Sequence, residues 1–396
     1  MKKRKKKFFK DKYARRRMLL LIGIIAFFII IKLIFGLFSN SKANDKISFL
    51  LDNKIINMKN EIYIDEDNVI YFSKADVENI FDNTIYYNDA EKELITTFNK
   101  HIALLKIDET FMVVNDSNVE LKSPMIEKNK KVYIPVSEMG IVYDLEFEYS
   151  EESKRVIADS VSKEKKKAIT LKKMNVKEKA SIFSNKIEKI EQGQYVVVIG
   201  EDGNYTKIRT PNGNIGYVKT KKISDPEIVR ENWITSKVDA NVLIDASNML
   251  KNYSKVTLAK DKTNIVIPEF FYIDTNGTIL DKTTSTTEEY TKYMNWVKEN
   301  NIEVWATLAN NVDVSDSLRT YAERNKIINA LYYTLVEYQF AGVNINFGKI
   351  DDVNSFNRFI IELTPRLKEL GLKVSVTYNK NVDKEKLKNI VDIVIE

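Results

Sequence analysis

Residues 341–348 read Ala-Gly-Val-Asn-Ile-Asn-Phe-Gly. In an extended strand alternate side chains share a face. Asn344, Asn346 and Gly348 therefore line one side, and Val343, Ile345 and Phe347 the other. Amides donate and accept hydrogen bonds, but neither they nor Gly348 can deliver a proton or balance a developing positive charge. General acid–base chemistry here would need a carboxylate. Asp351 and Asp352 lie three and four residues past Gly348, and Asp352 reads as the N-cap of a helix over 353–370. Glu269, after Pro268 at the end of another apolar run, is the candidate substitute acid. The chain has one histidine, His101, and no cysteine. That leaves no multi-histidine or thiolate metal site, and no cofactor is expected.

The elements that would position these residues follow from the pattern after Val238. Apolar β-type runs alternate with helical stretches, as in a parallel α/β fold. Strands are expected at 241–246, 263–273, 303–309, 342–347, 373–378 and 391–395. The helix near 352–370 is amphipathic, with Phe356, Phe359, Ile360 and Leu363 on the face expected to pack on the sheet. Six strands are fewer than the eight of a complete (β/α) barrel, and the sequence stops at Glu396, where the sixth ends. An incomplete TIM-type barrel exposes strand edges: either something covers them, a second copy of the chain in a homodimer being one such cover, or the domain is a decayed one of limited stability.

The region from 238 to 396 resembles glycoside hydrolase family 18, in particular its bacterial spore and cell-wall branch. The residues that carry the resemblance are Pro268-Glu-Phe-Phe271 with Thr275-Asn-Gly-Thr-Ile279, Val304-Trp305-Ala306 with Asn310, and Glu323 to Asn329. Phe340 to Phe347, Leu363-Thr-Pro-Arg366 and Lys373-Val-Ser-Val-Thr377 complete it. The resemblance implies a signature Asp-x-x-Asp-x-Asp-x-Glu at the end of the fourth strand, its first two Asp positions variable among branches. Here those positions are Ala341, Asn344, Asn346 and Gly348. In that family the substrate's own N-acetyl oxygen attacks the anomeric carbon, the Glu protonates the leaving oxygen and the Asp stabilises the intermediate, a substrate-assisted variant of glycoside hydrolysis. Losing the general acid alone costs about 10²–10⁴ in rate.

The expectation is a catalytically inactive, chitinase-like domain that binds peptidoglycan or another N-acetylglucosamine glycan. Phe270, Phe271, Trp305 and Tyr378 are the candidate stacking platform, with packing as the alternative for each. Asn310, Asn344 and Asn346 are the candidate hydrogen-bonding groups. Two alternatives stand beside this reading. One is an active N-acetylglucosaminidase using Glu269 as a non-standard acid; the other is a decayed structural protein without a ligand.

The chain carries a net charge of +6, yet residues 1–17 hold eleven Lys or Arg and one Asp. The basicity belongs to that tail and the rest is acidic, so no nucleic-acid surface is expected. Residues 18–38 form an apolar run broken only by Lys32. At 1.5 Å per residue it spans about 30 Å, the hydrocarbon thickness of a bilayer. The run is longer than a cleavable signal core, and no small-x-small cleavage site follows it. It reads as a single transmembrane helix, with the basic tail cytoplasmic and the remainder outside the cell membrane.

Between this run and the barrel, residues 44–160 contain an internal repeat. Tyr87 and Tyr149, Lys92 and Lys154, and Ile95 and Ile157 share one offset. Each copy reads as strand, short helix (Ser73–Phe81; Pro135–Gly140) and hairpin. The layout resembles the domain named after the N-terminal domain of copper amine oxidases and is taken as an α+β stalk. Residues 161–179 are Lys-rich and read as a linker. Residues 180–224 carry Asp202-Gly203 and Asn212-Gly213 at tight-turn positions, where φ > 0 is needed. Their order of short strands resembles the bacterial Src-homology-3-like domain, a small β-barrel. That resemblance implies attachment to cell-wall peptide or glycan, with Tyr205 and Tyr217 as candidate wall-binding residues or, equally, barrel core.

Overall fold

The computed structural model describes residues 46–230, 239–245, 252–283, 287–380 and 382–396. The basic tail and the apolar run 18–38 lie outside the described residues, as does residue 246 of the first expected barrel strand. Among the described residues no helix is long and apolar enough to cross a membrane.

The C-terminal region is a parallel sheet of six strands in sequence order. They are β1 (Ala240–Asp245), β2 (Thr263–Pro268), β3 (Glu303–Asn310), β4 (Gly342–Phe347), β5 (Lys373–Thr377) and β6 (Ile393–Ile395). The helices are α1 (Thr287–Glu299), α2 (Tyr321–Glu337), α3 (Val353–Glu369) and the short α4 (Lys384–Leu387). The second expected strand divides: after β2 a separate strand, Phe271–Ile273, pairs with the later half of β3 and with Ile279–Asp281. Among the described residues β1 and β6 do not pair with each other, so the sheet is an open, incomplete barrel.

Local sequence sets the helix starts. Thr320 and Glu323 form a reciprocal capping box at α2, satisfying backbone donors that a helix start leaves unpaired. Asp352 caps α3, accepting from the N–H groups of Asn354 and Ser355 at 3.0 and 3.1 Å. Phe356, Phe359, Ile360 and Leu363 pack with Val343, Ile345 and Phe347 in one core, and Phe347 stacks on Phe359. The expectation of a single packed face is corrected, because Arg358, Glu362 and Thr364 are buried as well. A second domain covers the far side of α3.

That domain is the repeat-containing α+β domain within 44–160, for which the label stalk is kept. Its first copy runs strand Ile70–Ser73, helix Lys74–Ile80 capped by Ser73, and hairpin Tyr86–Asn88 with Glu93–Phe98. The second runs Lys131–Pro135, helix Gly140–Tyr143, and hairpin Leu145–Ser150 with Arg155–Ser160. The second helix starts later than expected, since residues 135–139 are spent on two tight turns, Glu138 to Pro135 and Met139 to Val136. Buried Val136 and Met139 anchor those turns.

Each hairpin region carries a different neighbour. Near the first, Arg358 of α3 donates to the Thr84 carbonyl and lies 5.3 Å from the Tyr86 ring centre, and Arg366 donates to Asp116 at 2.6 Å. Against the second, Arg209 of the small β-barrel forks onto Asp159 with two 2.6 Å bonds, and Arg155 donates to the Gly213 carbonyl at 2.6 Å.

The small β-barrel is a seven-stranded sheet that includes Lys165–Ile169 and Met174–Lys177. The reading of 161–179 as a linker is therefore corrected. Lys165–Ile169 pairs with Tyr195–Asp202 and with Glu227–Arg230, and Met174–Lys177 pairs with Lys186–Ile190. Ala168, Met174 and Val176 point into the core between outward lysines, whose charge masks the alternation.

The Asp159–Arg209 pair predicts an acid response. Burial alone would push the Asp159 carboxyl up, but hydrogen bonds from Arg209 and Lys165 outweigh it and hold the group below its ordinary value. A depressed folded pKa adds stability above the unfolded pKa and loses it as pH falls through the folded one. Asp159→Asn should therefore cost about 1.5–3 kcal/mol at neutral pH. In thermal unfolding its deficit should persist from pH 7 to 5 and shrink below about pH 4. A deficit that keeps its size in acid would show that the charge of Asp159 is not what matters.

Candidate glycan site

Strand parity places the inner face of the open barrel. Val343, Ile345 and Phe347 pack outward against the helices. Gly342, Asn344 and Asn346 share the opposite face. Gly342 sits opposite Trp305 and Lys373, and a Cβ there would lie 2.5 Å from the Lys373 carbonyl oxygen, so only glycine allows β4 and β5 to approach.

Asn344 is 1 % exposed and sits at the centre of a polar network spanning four strands. Its amide donates to Thr307 Oγ1 at 3.1 Å and to Thr377 Oγ1 at 3.0 Å, and its carbonyl accepts from Ser375 Oγ at 3.1 Å. Thr307 Oγ1 donates in turn to the Ile267 carbonyl at 3.0 Å. A network satisfied in this way stiffens the sheet, and it occupies Asn344 with protein partners rather than a ligand. Thr307, Ser375 and Thr377 are not among the candidate site residues read from the sequence, although strand parity alone puts them on this face.

The other candidates separate cleanly. Asn310 is buried, donating to the carbonyls of Val312 and Lys349 at 2.9 and 2.6 Å. It holds the loop after β4, which corrects its assignment as a glycan donor. Phe270 and Phe271 lie in the helix-facing core and cannot serve as a stacking platform. Trp305 is 1 % exposed, packed among Ile265, Ile267 and Ile395 with its indole N–H donating to Glu303 at 2.9 Å, so it too is core. Tyr378 remains, 50 % exposed just past β5, with Lys384 Nζ 5.7 Å from the ring centre. Asn346 is half-buried on the inner face one layer above Asn344, and Glu269 is half-buried at the end of β2.

Gly348 is exposed, its φ lies outside the left-handed region, and a Cβ there would meet nothing within 4 Å. The backbone has room for an acid side chain at the position where the resemblance implies one. Asp352 is spent on its helix cap, and the backbone N–H of Asp351 is tied to Asp313 and Ser315. In the small β-barrel, Tyr205 and Tyr217 pair opposite Lys219 and Lys207. Both are half-buried and lie outside the core cluster.

Comparisons with known proteins divide along the same lines. Residues 50–158 match the copper amine oxidase N-terminal domain, and residues 172–224 match the bacterial SH3 domain. No curated protein matches the chain. Similar solved structures include a class V chitinase of Pseudomonas fluorescens, with 14 % identity and TM-score 0.32, covering 40 % of this chain and 53 % of that one. A chitinase of Chromobacterium violaceum gives 18 %, 0.31, 40 % and 55 % in the same order. The Bacillus cereus spore cortex-lytic enzyme SleL gives 17 %, 0.31, 53 % and 56 %. The matched part of each spans about half that protein's length.

Proposed function

We propose that this is a membrane-anchored, wall-facing protein whose open barrel binds peptidoglycan or another N-acetylglucosamine glycan without cleaving it. The observation that carries the reading is the inner edge of β4. Its Asn344, Asn346 and Gly348 supply no acid and no counter-charge, while β4, which presents them, is paired on both sides in the parallel sheet. Without a general acid the leaving oxygen departs unprotonated, and without a carboxylate the cationic intermediate is uncompensated. Binding needs neither group. Tyr378 offers an exposed aromatic face for a sugar ring, and the Asn346 amide offers hydrogen bonds to an acetamide or hydroxyl. The bacterial SH3 domain, with Tyr205 and Tyr217 on its outer face, supports a second wall contact. Residues 18–38 would anchor the chain, with the basic tail against the anionic cytoplasmic leaflet.

The test is co-sedimentation of residues 40–396 with purified peptidoglycan, with soluble saccharide measured in the supernatant. The protein should pellet, and Tyr378→Ala should weaken pelleting while leaving thermal stability within about 0.5 kcal/mol, as for an exposed side chain. Folded protein that stays in the supernatant would contradict the binding claim.

A further inference from the structure

The stalk domain is built on an approximate twofold axis, and one pair of counterpart positions beside that axis differs sharply in character between the two halves. Tyr71 pairs opposite Pro135, Phe72 opposite Ile134 and Ser73 opposite Tyr133. Under the repeat offset this register maps onto itself, so the axis passes between Phe72 and Ile134 and each position in one half has a counterpart in the other. On one side of the axis the counterpart positions are Val69 and Val136, both buried, beside a contact in which the Ile70 N–H donates to Ser137 Oγ at 2.9 Å. On the other side the same two positions are Lys131 and Lys74, and there the surface opens into a cleft of about 440 Å³.

The cleft has built walls. Asn60, Ser73, Tyr87 and Lys130 line it with the two lysines. Lys131 Nζ donates to Asn60 Oδ1 at 2.6 Å, and the Asn60 amide donates to Ser73 Oγ at 2.8 Å and to Asp76 at 3.1 Å. Buried Asp76 pins the loop further by accepting from the backbone N–H groups of Lys59 and Asn60 at 2.6 and 3.1 Å. Two acids also line the cleft, Asp89 and Glu127, and Lys92 binds both, at 2.9 and 3.4 Å. Lys74 pairs with Glu78 at 3.0 Å on the exposed helix surface, where such pairs are worth little. The Tyr87 hydroxyl oxygen is buried and has no hydrogen-bond partner among the described residues. Lys130 holds a left-handed φ of 60°, a conformation that glycine or asparagine would adopt at less cost.

We propose that this cleft binds an anionic, hydroxyl-rich ligand, a sugar or polyol bearing a phosphate or carboxylate. Lys74, Lys130 and Lys131 face the anion, the Tyr87 hydroxyl serves a further ligand oxygen, and Asn60 and Ser73, whose donors are taken up by Asp76 and each other, hold the wall in place. The volume exceeds what one small anion fills, so the body of the ligand occupies the rest of the cleft. This site is separate from the open barrel, and its test does not depend on wall binding there.

The experiment is calorimetric titration of the full chain, in nonionic detergent, with glycerol 3-phosphate, glucuronate and N-acetylglucosamine. At least one anionic probe should bind, more weakly as salt is raised, and the neutral sugar should not; the stronger of the two anions tells phosphate from carboxylate. Changing Lys74→Val and Lys131→Val together copies the closed half of the domain. It should weaken binding by about tenfold or more, as expected for losing two charge-assisted contacts, with pelleting on peptidoglycan unchanged. Lys74→Gln with Lys131→Gln serves the same purpose should the valine pair unfold. The proposal is overturned by failure of both anions to bind, by equal binding of the neutral sugar, or by wild-type affinity in a folded variant.

Discussion

Replacing Glu362 by glutamine should destabilise the protein by about 3–5 kcal/mol, the cost of breaking a buried ion pair from one side. Glu362 is fully buried between two arginines. Arg324 forks onto it at 2.7 and 2.8 Å from α2, and Arg358 donates to it at 2.7 Å from one turn earlier on α3. Glutamine keeps the volume and removes the carboxylate that pairs directly with both guanidinium groups. The network has no surplus to absorb the loss, because Arg358 Nη2 already has no hydrogen-bond partner among the described residues. Arg358 also reaches the Thr84 carbonyl and the Tyr86 ring, so the variant should loosen the contact between α3 and the stalk. Denaturant unfolding gives the free energy, and amide exchange at 93–106 and along α3 shows where protection is lost. A loss under about 1 kcal/mol would mean that water reaches this cluster and that α3 is not buried on both sides. Replacing all three residues with apolar ones of similar volume should be far milder.

Trp305→Ala should cost about 3–5 kcal/mol, the range for emptying a large aromatic site in a core. The indole fills the inside of the sheet between Ile265, Ile267 and Ile395, on the residue paired with Gly342 of the neighbouring strand. The gentler Trp305→Phe separates packing from recognition. It should fold, lose part of that stability and pellet with peptidoglycan like the parent. A sugar-stacking role would give the opposite pattern, with stability kept and wall binding lost. Thermal unfolding and sedimentation of the two variants distinguish the outcomes.

Much of this architecture can be read from residue patterns because its causes are local. Strand against helix is visible after Val238 since β-type runs and a 3.6-residue period alternate there, and Asp352 announces the start of α3. The repeat is legible because Tyr87 and Tyr149 keep one offset that the pairing of Phe72 with Ile134 obeys. What is not legible is set by partners far away in sequence. The polar side of α3 looks solvent-facing until Arg358 is seen to bond Thr84, 274 residues distant. Trp305, Phe270 and Phe271 look like a platform because aromatics at strand ends serve both stacking and packing, and only burial separates the two. The lysines of 165–177 hide two strands because composition outweighs a three-residue inward pattern. Lys74 and Lys131 look like ordinary surface charge until the twofold axis sets them against Val136 and Val69.

The central claim is that the open barrel engages wall glycan and does not cut it. The most direct measurement is the release of soluble saccharide from purified peptidoglycan by residues 40–396, under conditions in which the protein pellets with the polymer. The expected result is a protein-laden pellet and no release above the buffer control. Saccharide release that disappears in Glu269→Gln would contradict the account, because it would place a working acid at the end of β2 and make the barrel an enzyme.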